Sequence, residues 1–356
     1  MKHVYVFGAG ASAASANTPL GRDLVWNYPL DCGLLVPYDD NGSPDLQEEN
    51  ERLSNYREFL KLAASIYPEY KFLLKEWDNR GDMVFDTRGI LNKRLRNKRH
   101  YVDEILMILQ QKGDTKGVEL VRRLMFEHLT ESSIGSKNLL YKGFIDRVLK
   151  SNHLCQFTIL SFNFDVLLHE DFDANVCFDY LLKFDWIDNN RKKFYAQSNP
   201  IKLIKLNGSI DWGICPSCNR LHLYYPFMFK NFFDNERCSG NCGEPIQPFV
   251  IIPHQPYPKI IQPLWSSAGK ELQRANIVTV IGYSFPEYDH EVVNLFSGSL
   301  GTHTKLQVVD HCGRKEDEDS KRETIIMKYK RLFPMLKQEI DIHLDGFEGY
   351  LDTHTK

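Results

Sequence analysis

A chain of 356 residues is long enough for about two domains and for a sizeable core without disulfide staples. Hydrophobic residues make up 42% and charged residues 26%, which excludes global disorder. A net charge of -3, from 44 basic and 47 acidic side chains, gives no electrostatic case for a dedicated nucleic-acid or membrane-surface binder.

The chain opens with a buried-strand pattern, His3-Val4-Tyr5-Val6-Phe7, which runs into Gly8-Ala9-Gly10-Ala11-Ser12 and an Ala/Ser-rich stretch that predicts a helix. That apolar stretch is too short for a secretory signal, and no run approaches the ~18 residues needed to span a bilayer. A soluble, cytoplasmic chain is therefore expected. Turn residues such as Asp39-Asp40-Asn41-Gly42-Ser43-Pro44 predict a loop over 31–45. From 46 to 152 apolar residues recur at helical spacing, as in Phe59-Leu60, Leu62-Ala63 and Ile66, and again in Ile105-Leu106 and Ile108-Leu109. The basic run from Lys93 to Arg99 within this block reads as a solvated helix face.

Strand patterns return at Gln156–Phe162, Ile201–Leu206, Ile277–Ile281 and Lys305–Val309. Each ends in polar or glycine residues, which is where ligands bind in open α/β sheets. The expected fold class is α/β: a Rossmann-like parallel sheet with helices on both faces, a helical insertion and a small zinc-binding module. The expected division is a Rossmann-like domain over 1–30 and 153–312, a helical insertion over 31–152, a zinc-ribbon-like module over 213–247, and a C-terminal helical tail over 313–356. A helix is expected near Thr324–Met335, after a charged run from Arg314 to Asp319.

Eight cysteines in a reducing compartment point to metal or catalysis before disulfides. Cys215-Pro-Ser-Cys218 and Cys238-Ser-Gly-Asn-Cys242 form two short loops nineteen residues apart, a spacing that delivers four thiolates to a structural Zn²⁺. A redox pair or unligated thiols are the alternatives. A catalytic zinc fits poorly, because four thiolates leave no open position. Cys32, Cys155, Cys177 and Cys312 are scattered and read as buried apolar residues.

Gly8-Ala9-Gly10-Ala11-Ser12 is GxGxS, not the GxGxxG dinucleotide fingerprint; it serves either phosphate approach by backbone amides or a plain tight turn. Asn163 and Asp165 leave their strand two residues apart and share a face, suiting a polar site, with a helix cap by Asp165 as the other use. Gly282 and Ser284 form a second glycine turn. Asp310 suits either ribose hydroxyls or a turn cap.

Taken in order, Gly8-Ala9-Gly10-Ala11-Ser12, Ser161-Phe162-Asn163-Phe164-Asp165, Lys205-Leu206-Asn207-Gly208-Ser209, the four cysteines and Gly282-Tyr283-Ser284 resemble the sirtuin family of NAD-dependent enzymes. Within it they look closer to the bacterial sirtuin-like group with an enlarged helical insertion than to protein deacylases. The resemblance covers about 1–30 and 155–312, and makes the Rossmann-like domain an NAD-binding one. It implies that Gly8, Ala9, Gly10, Ala11 and Ser12 cradle the NAD pyrophosphate. Asn163 would meet the nicotinamide ribose and orient water, and Asp165 would hold the nicotinamide carboxamide. Gly282 and Ser284 would contact phosphate and adenosine ribose, with Asp310 where the family often has Asn. The zinc module, with Cys215, Cys218, Cys238 and Cys242, would be structural.

Three positions depart from the family. Asn207 stands at the catalytic histidine's position, and an amide cannot act as a base near neutral pH. Pro19-Leu20-Gly21-Arg22 replaces the deacylase Asp-Phe-Arg, and Ile251-Ile252-Pro253-His254 replaces Phe-Gly-Glu. His169 and His254 are substitute bases weighed against ordinary packing. The resemblance thus implies an NAD glycohydrolase of bacterial antiphage defence, with Asn163, Asp165 and Asn207 in the catalytic positions. The alternatives are a catalytically impaired NAD- or ADP-ribose-binding module and, last, a deacylase. Expected partners are NAD or ADP-ribose, and a protein partner or self-association through the helical insertion, with no membrane and no nucleic acid.

Overall fold

The computed structural model describes residues 1–16, 24–26, 28, 44–80, 100, 102–133, 139–150, 156–170, 178–186, 200–224, 237–240, 242–251, 258–286 and 289–353. These fall into one unit of Met1–Thr18 with Ser136–Lys356 and a second of Pro19–Gly135. In chain order the first unit begins with β1 (Lys2–Phe7) and α1 (Ala9–Ala16). The second unit holds α2 (Pro44–Ile66), α3 (Lys71–Arg80), α4 (Val102–Gln111) and α5 (Thr115–Ser133). The first unit resumes with α6 (Leu139–Phe144), which runs on as a wide π turn through Ile145–Leu149, then β2 (Gln156–Ser161), α7 (Leu167–Glu170), β3 (Phe178–Asp179) and β4 (Phe184–Trp186). There follow β5 (Ile201–Lys205), β6 (Gly208–Ile214), β7 (Leu221–Leu223), β8 (Gln247–Val250), α8 (Gln262–Gln273) and β9 (Ile277–Ile281). The chain closes with α9 (His290–Ser299), β10 (Lys305–Val309), α10 (Glu318–Leu332), β11 (Asp341–His343) and α11 (Gly346–Thr353).

Seven strands form one sheet in the order β11-β10-β9-β1-β2-β5-β3, and every pairing in it is parallel. The parallel pattern explains the continuous apolar text: Val4, Tyr5, Val6 and Phe7 of β1 are all buried, as a strand covered on both faces must be. From β1 the chain moves outward through β2 and β5, and later returns on the other side with β9. The sheet therefore reverses its winding between β1 and β9, the position that opens a crevice at the carboxyl ends of the strands.

The predicted strands appear as β1, β2, β5, β9 and β10. The tail adds more than a helix: β11 pairs in parallel with β10, through Gln307 to Asp341 and Val309 to His343. Its three residues, Asp341-Ile342-His343, alternate charge around one apolar residue and carry too little periodicity to read as a buried strand. The tail helix starts earlier than its apolar pattern, at Glu318, because the first turn is acidic and suits a helix amino end. Of the loop expected over 31–45, only Pro44 and Asp45 are described, and they already open α2. The basic run 93–99 and Cys32, Cys155 and Cys177 lie outside the described residues; Cys312 is half-buried.

Aromatic packing ties α6 to the sheet. Phe144 meets Tyr5 at 4.8 Å and Phe7 at 5.1 Å, both edge-on, and Tyr141 meets Phe7 at 5.3 Å. At the amino ends of the strands the buried Glu271 carboxylate of α8 joins β1, β2 and β5 through Lys2, Thr158 (2.9 Å) and Lys202 (2.9 Å). The second unit has its own core, in which Trp26 packs on Phe59 at 5.0 Å and on Tyr70 at 4.8 Å. Within it the His128 ring accepts from the Val25 amide at 3.1 Å, and the Tyr28 hydroxyl donates to Glu127.

Candidate functional site

Three loops meet at the carboxyl ends of β1, β2 and β9. The first, Gly8–Ser12, leads from β1 into α1; its Gly8 and Gly10 amides donate to the Ile281 and Gly282 carbonyls at 3.0 and 2.9 Å. Glycine is required by contact. A Cβ on Gly8 would lie 2.6 Å from the Gly282 carbonyl oxygen, and one on Gly282, at φ +65°, would lie 2.1 Å from the Ala11 nitrogen. With the Gly8 and Gly10 amides engaged this way, the amino end of α1 and its dipole still suit an anion.

The second loop carries Asn163 and Asp165 off β2. The Asn163 Nδ2 donates to the Gly8 carbonyl at 3.0 Å and to Ser12 Oγ at 2.8 Å, so residues 155 and 151 positions apart in sequence form one constellation. Asp165 is buried and its carboxylate receives the Leu167 amide at 3.2 Å, so it caps α7 while facing Ser12. Burial pushes the Asp165 carboxyl up from its ordinary range, against the nearby Lys205 ammonium, the Ser12 hydroxyl and the Leu167 amide, which pull it down; the net direction is upward. Lys205, buried at the end of β5, donates from Nζ to the Asp165 carbonyl. Its pKa is pushed down by burial and supported by the charges of Asp211 and Asp165.

The turn after β5 is pinned to the loop after β2. Asn207 donates from Nδ2 to the Phe162 carbonyl at 3.2 Å, Ser209 donates to the Phe164 carbonyl at 3.2 Å, and the Ile210 amide donates there at 2.8 Å. Across the strand ends the Tyr283 ring stacks on Phe162 at 4.4 Å and 18°. Ser284 is exposed, and its carbonyl accepts from Lys328. Asp310 stands farther out at the end of β10, where its carboxylate accepts from the His311 amide at 2.7 Å and pairs with Lys321 at 3.1 Å.

The structure thus brings together Gly8, Gly10, Ala11, Ser12, Asn163, Asp165 and Gly282, with Asn207 one loop away; Asp310 sits two strands from β1 with its own cationic partner. The side chain of His169, and Pro19–Arg22 and His254, lie outside the described residues. Sequence reasoning missed Tyr141, Lys205 and Asp211. A lysine ending an otherwise apolar strand was a usable signal for Lys205, since a buried ammonium demands partners. Tyr141 gave none, lying in an ordinary amphipathic stretch.

The four cysteines form a separate centre on the second sheet, of order β4-β7-β6-β8. Cys215 follows β6, Cys218 ends the next turn, and Cys238 and Cys242 precede β8. Their sulfurs lie within 4.8 Å of one another, with Cys215–Cys242 and Cys218–Cys238 at 3.5 Å and Cys218–Cys242 at 3.7 Å. Four sulfurs about 2.3 Å from a tetrahedral zinc have edges near ~3.8 Å, so this donor set fits the ion. Amide donors support thiolates here: Gly240 donates to Cys238 Sγ at 3.4 Å. Burial raises the Cys215 thiol, but the Cys218 and Ser217 amides outweigh it and hold the group at about 7.

No protein-family model matches the chain, and no curated protein matches it by sequence. Among solved structures the chain is similar to a Sir2-homologue mutant in complex with 2′-O-acetyl ADP ribose. That match has 13% identity and a TM-score of 0.45, over 99% of this chain and 90% of that one. It is also similar to a structure described as the basis for the mechanism and regulation of Sir2 enzymes, at 16% identity and a TM-score of 0.38 over 67% of this chain and 75% of that one. A third, Sir2Af2 bound to a myristoylated histone peptide, shows 15% identity and a TM-score of 0.38 over 68% and 81% of the two chains.

Proposed function

We propose that the chain binds NAD at the carboxyl ends of β1, β2 and β9 and hydrolyses it to nicotinamide and ADP-ribose. The observation that carries this is the bonding of Asn163 to Gly8 and Ser12, which joins the glycine turn to the Asn-Phe-Asp loop. The pyrophosphate lies at the start of α1, over Gly8–Ser12 and Gly282. Ser284 and Asp310 serve the adenosine end, where Asp310 shares its carboxylate between Lys321 and the ribose.

Hydrolysis breaks the bond between the ribose C1′ and the pyridinium nitrogen. The electron pair goes to that nitrogen, nicotinamide leaves neutral, a water oxygen bonds to C1′, and one proton is released to solvent. The transition state resembles an oxocarbenium ion, as in glycoside hydrolysis, so positioning and nearby negative charge supply much of the rate. Asn163 orients ribose and water, and Asp165 receives the carboxamide N–H. Asn207 takes no proton; its amide is engaged with the Phe162 carbonyl, which supports hydrolysis over deacylation, a reaction that needs a base at that position. Zinc, held by Cys215, Cys218, Cys238 and Cys242, braces the second sheet and takes no part in the chemistry.

In this proposal the first unit, Met1–Thr18 with Ser136–Lys356, carries the NAD site, and the helical second unit, Pro19–Gly135, receives a protein partner or a second copy. The enzyme would deplete a cytoplasmic NAD pool, the role that the resemblance to the bacterial group implies in antiphage defence. Asn207 also supports a second reading, a module that binds NAD or ADP-ribose without turnover. Purified full-length chain incubated with NAD is expected to release nicotinamide, and Asn163→Ala to lower that release by about 10²–10³-fold. Calorimetric NAD binding without product would support the second reading, and neither binding nor release would contradict both.

A further inference from the structure

Asn163 is only 6% exposed, and its side chain meets the Gly8 carbonyl oxygen at 3.0 Å. A carbonyl oxygen only accepts, so the atom facing it is the amide nitrogen, whichever way the group is drawn. The same nitrogen lies 2.8 Å from Ser12 Oγ and 3.3 Å from the Tyr141 hydroxyl. It has two hydrogens, and Gly8 and Ser12 take both. The Asn163 Oδ1 is thereby turned away from the loop, buried and without a hydrogen-bond partner among the described residues. A buried acceptor left unpaired is unfavourable, and a ligand hydroxyl or a water relieves it.

Tyr141 completes this arrangement from outside the motifs. Its hydroxyl lies 2.9 Å from Ser12 Oγ, and its buried ring is edge-on to Phe7 at 5.3 Å and to Phe347 at 5.7 Å. The Asn163 amide nitrogen donates to that same Ser12 oxygen, so Ser12 Oγ joins the Tyr141 hydroxyl to the Asn163 amide.

We infer that Tyr141 is a positioning residue for the NAD hydrolysis proposed above: directly and through Ser12 it fixes the Asn163 amide with Oδ1 free for the substrate ribose or the attacking water. The inference rests on that function. It assigns no proton transfer to Tyr141, whose hydroxyl burial holds far above its ordinary range.

The test is Tyr141→Phe in the full-length chain, which keeps the ring and removes only the hydroxyl. Nicotinamide release is expected to fall about 10–100-fold in kcat, with KM for NAD within about threefold and the melting temperature unchanged, as a small misplacement of catalytic groups produces. Because the two hydroxyls act as one unit, the double variant Ser12→Ala with Tyr141→Phe is expected to be no slower than the slower single variant. A kcat within twofold of the parent, a loss matched by a fall in melting temperature, or single effects that multiply in the double variant would each overturn the inference while nicotinamide release by the parent stands. A parent that neither binds nor cleaves NAD overturns the function itself, and the inference with it.

Discussion

Gly282 joins a positive φ to the closest backbone approach in the site, so it separates a packing role from a merely conformational one. Gly282→Ala is expected to destabilise the first unit by more than about 3 kcal/mol, since left-handed strain of about 1–3 kcal/mol adds to a clash with the Ala11 nitrogen. Gly298→Ala in α9 is the control: a Cβ there meets open space, and the change is expected to lie within about 1 kcal/mol of neutral. Urea unfolding of the two variants decides; equal effects would mean that the β1 and β9 turns do not interlock. At this scale the polar strand ends were legible, because a buried strand that stops in Asn-x-Asp or glycine announces a carboxyl-end loop. That Asp165 caps α7 as well as facing Ser12 was not, because both uses demand the same residue at the same place. Tyr141 was hidden for a different reason: its hydroxyl meets Ser12, 129 positions away, and nothing local in the chain marks that contact.

The elements divide between those fixed by local spacing and those fixed by their neighbours. The cysteine pairs belong to the first kind, and the sulfur cluster is where two short loops put it. The purified chain is expected to hold one zinc per molecule by elemental analysis. Cys218→Ala, or a strong chelator, is expected to remove it and lower the melting temperature, with loss of order concentrated in β6, β7 and β8 by hydrogen exchange. Full protection of those strands in the zinc-free protein would contradict a structural ion. The short strands β3, β4 and β11 belong to the second kind. Each has three residues or fewer and is placed by the neighbouring strand it pairs with, so no periodicity in the sequence marks it.

For the molecule as a whole, the two ends of the parallel sheet do different work. The amino ends are tied by Glu271, for which burial alone would raise the pKa; the Lys2, Lys202 and Thr158 contacts reverse this and hold it at about 2, below its ordinary value of 4.5. A depressed carboxyl contributes stability that is complete above about pH 4.5 and is lost as pH falls through that value toward 2. The shift corresponds to about 3 kcal/mol. Urea unfolding is expected to show the parent losing stability from pH 6 to pH 3 more steeply than Glu271→Gln; parallel pH profiles would remove Glu271 from the account. Alternation of strands and helices made the parallel sheet legible from the text, but the strand order was not, because pairing β1 with both β2 and β9 depends on where crossovers land. The carboxyl ends, where those three strands stop together, carry the central claim that one cleft there takes NAD. The most direct measurement is a crystal structure of the full-length chain soaked with NAD. The account predicts the pyrophosphate at the start of α1 and the nicotinamide ribose against Asn163, with Asp165 beside the carboxamide; NAD bound elsewhere, or a cleft still empty at saturating NAD, would contradict it.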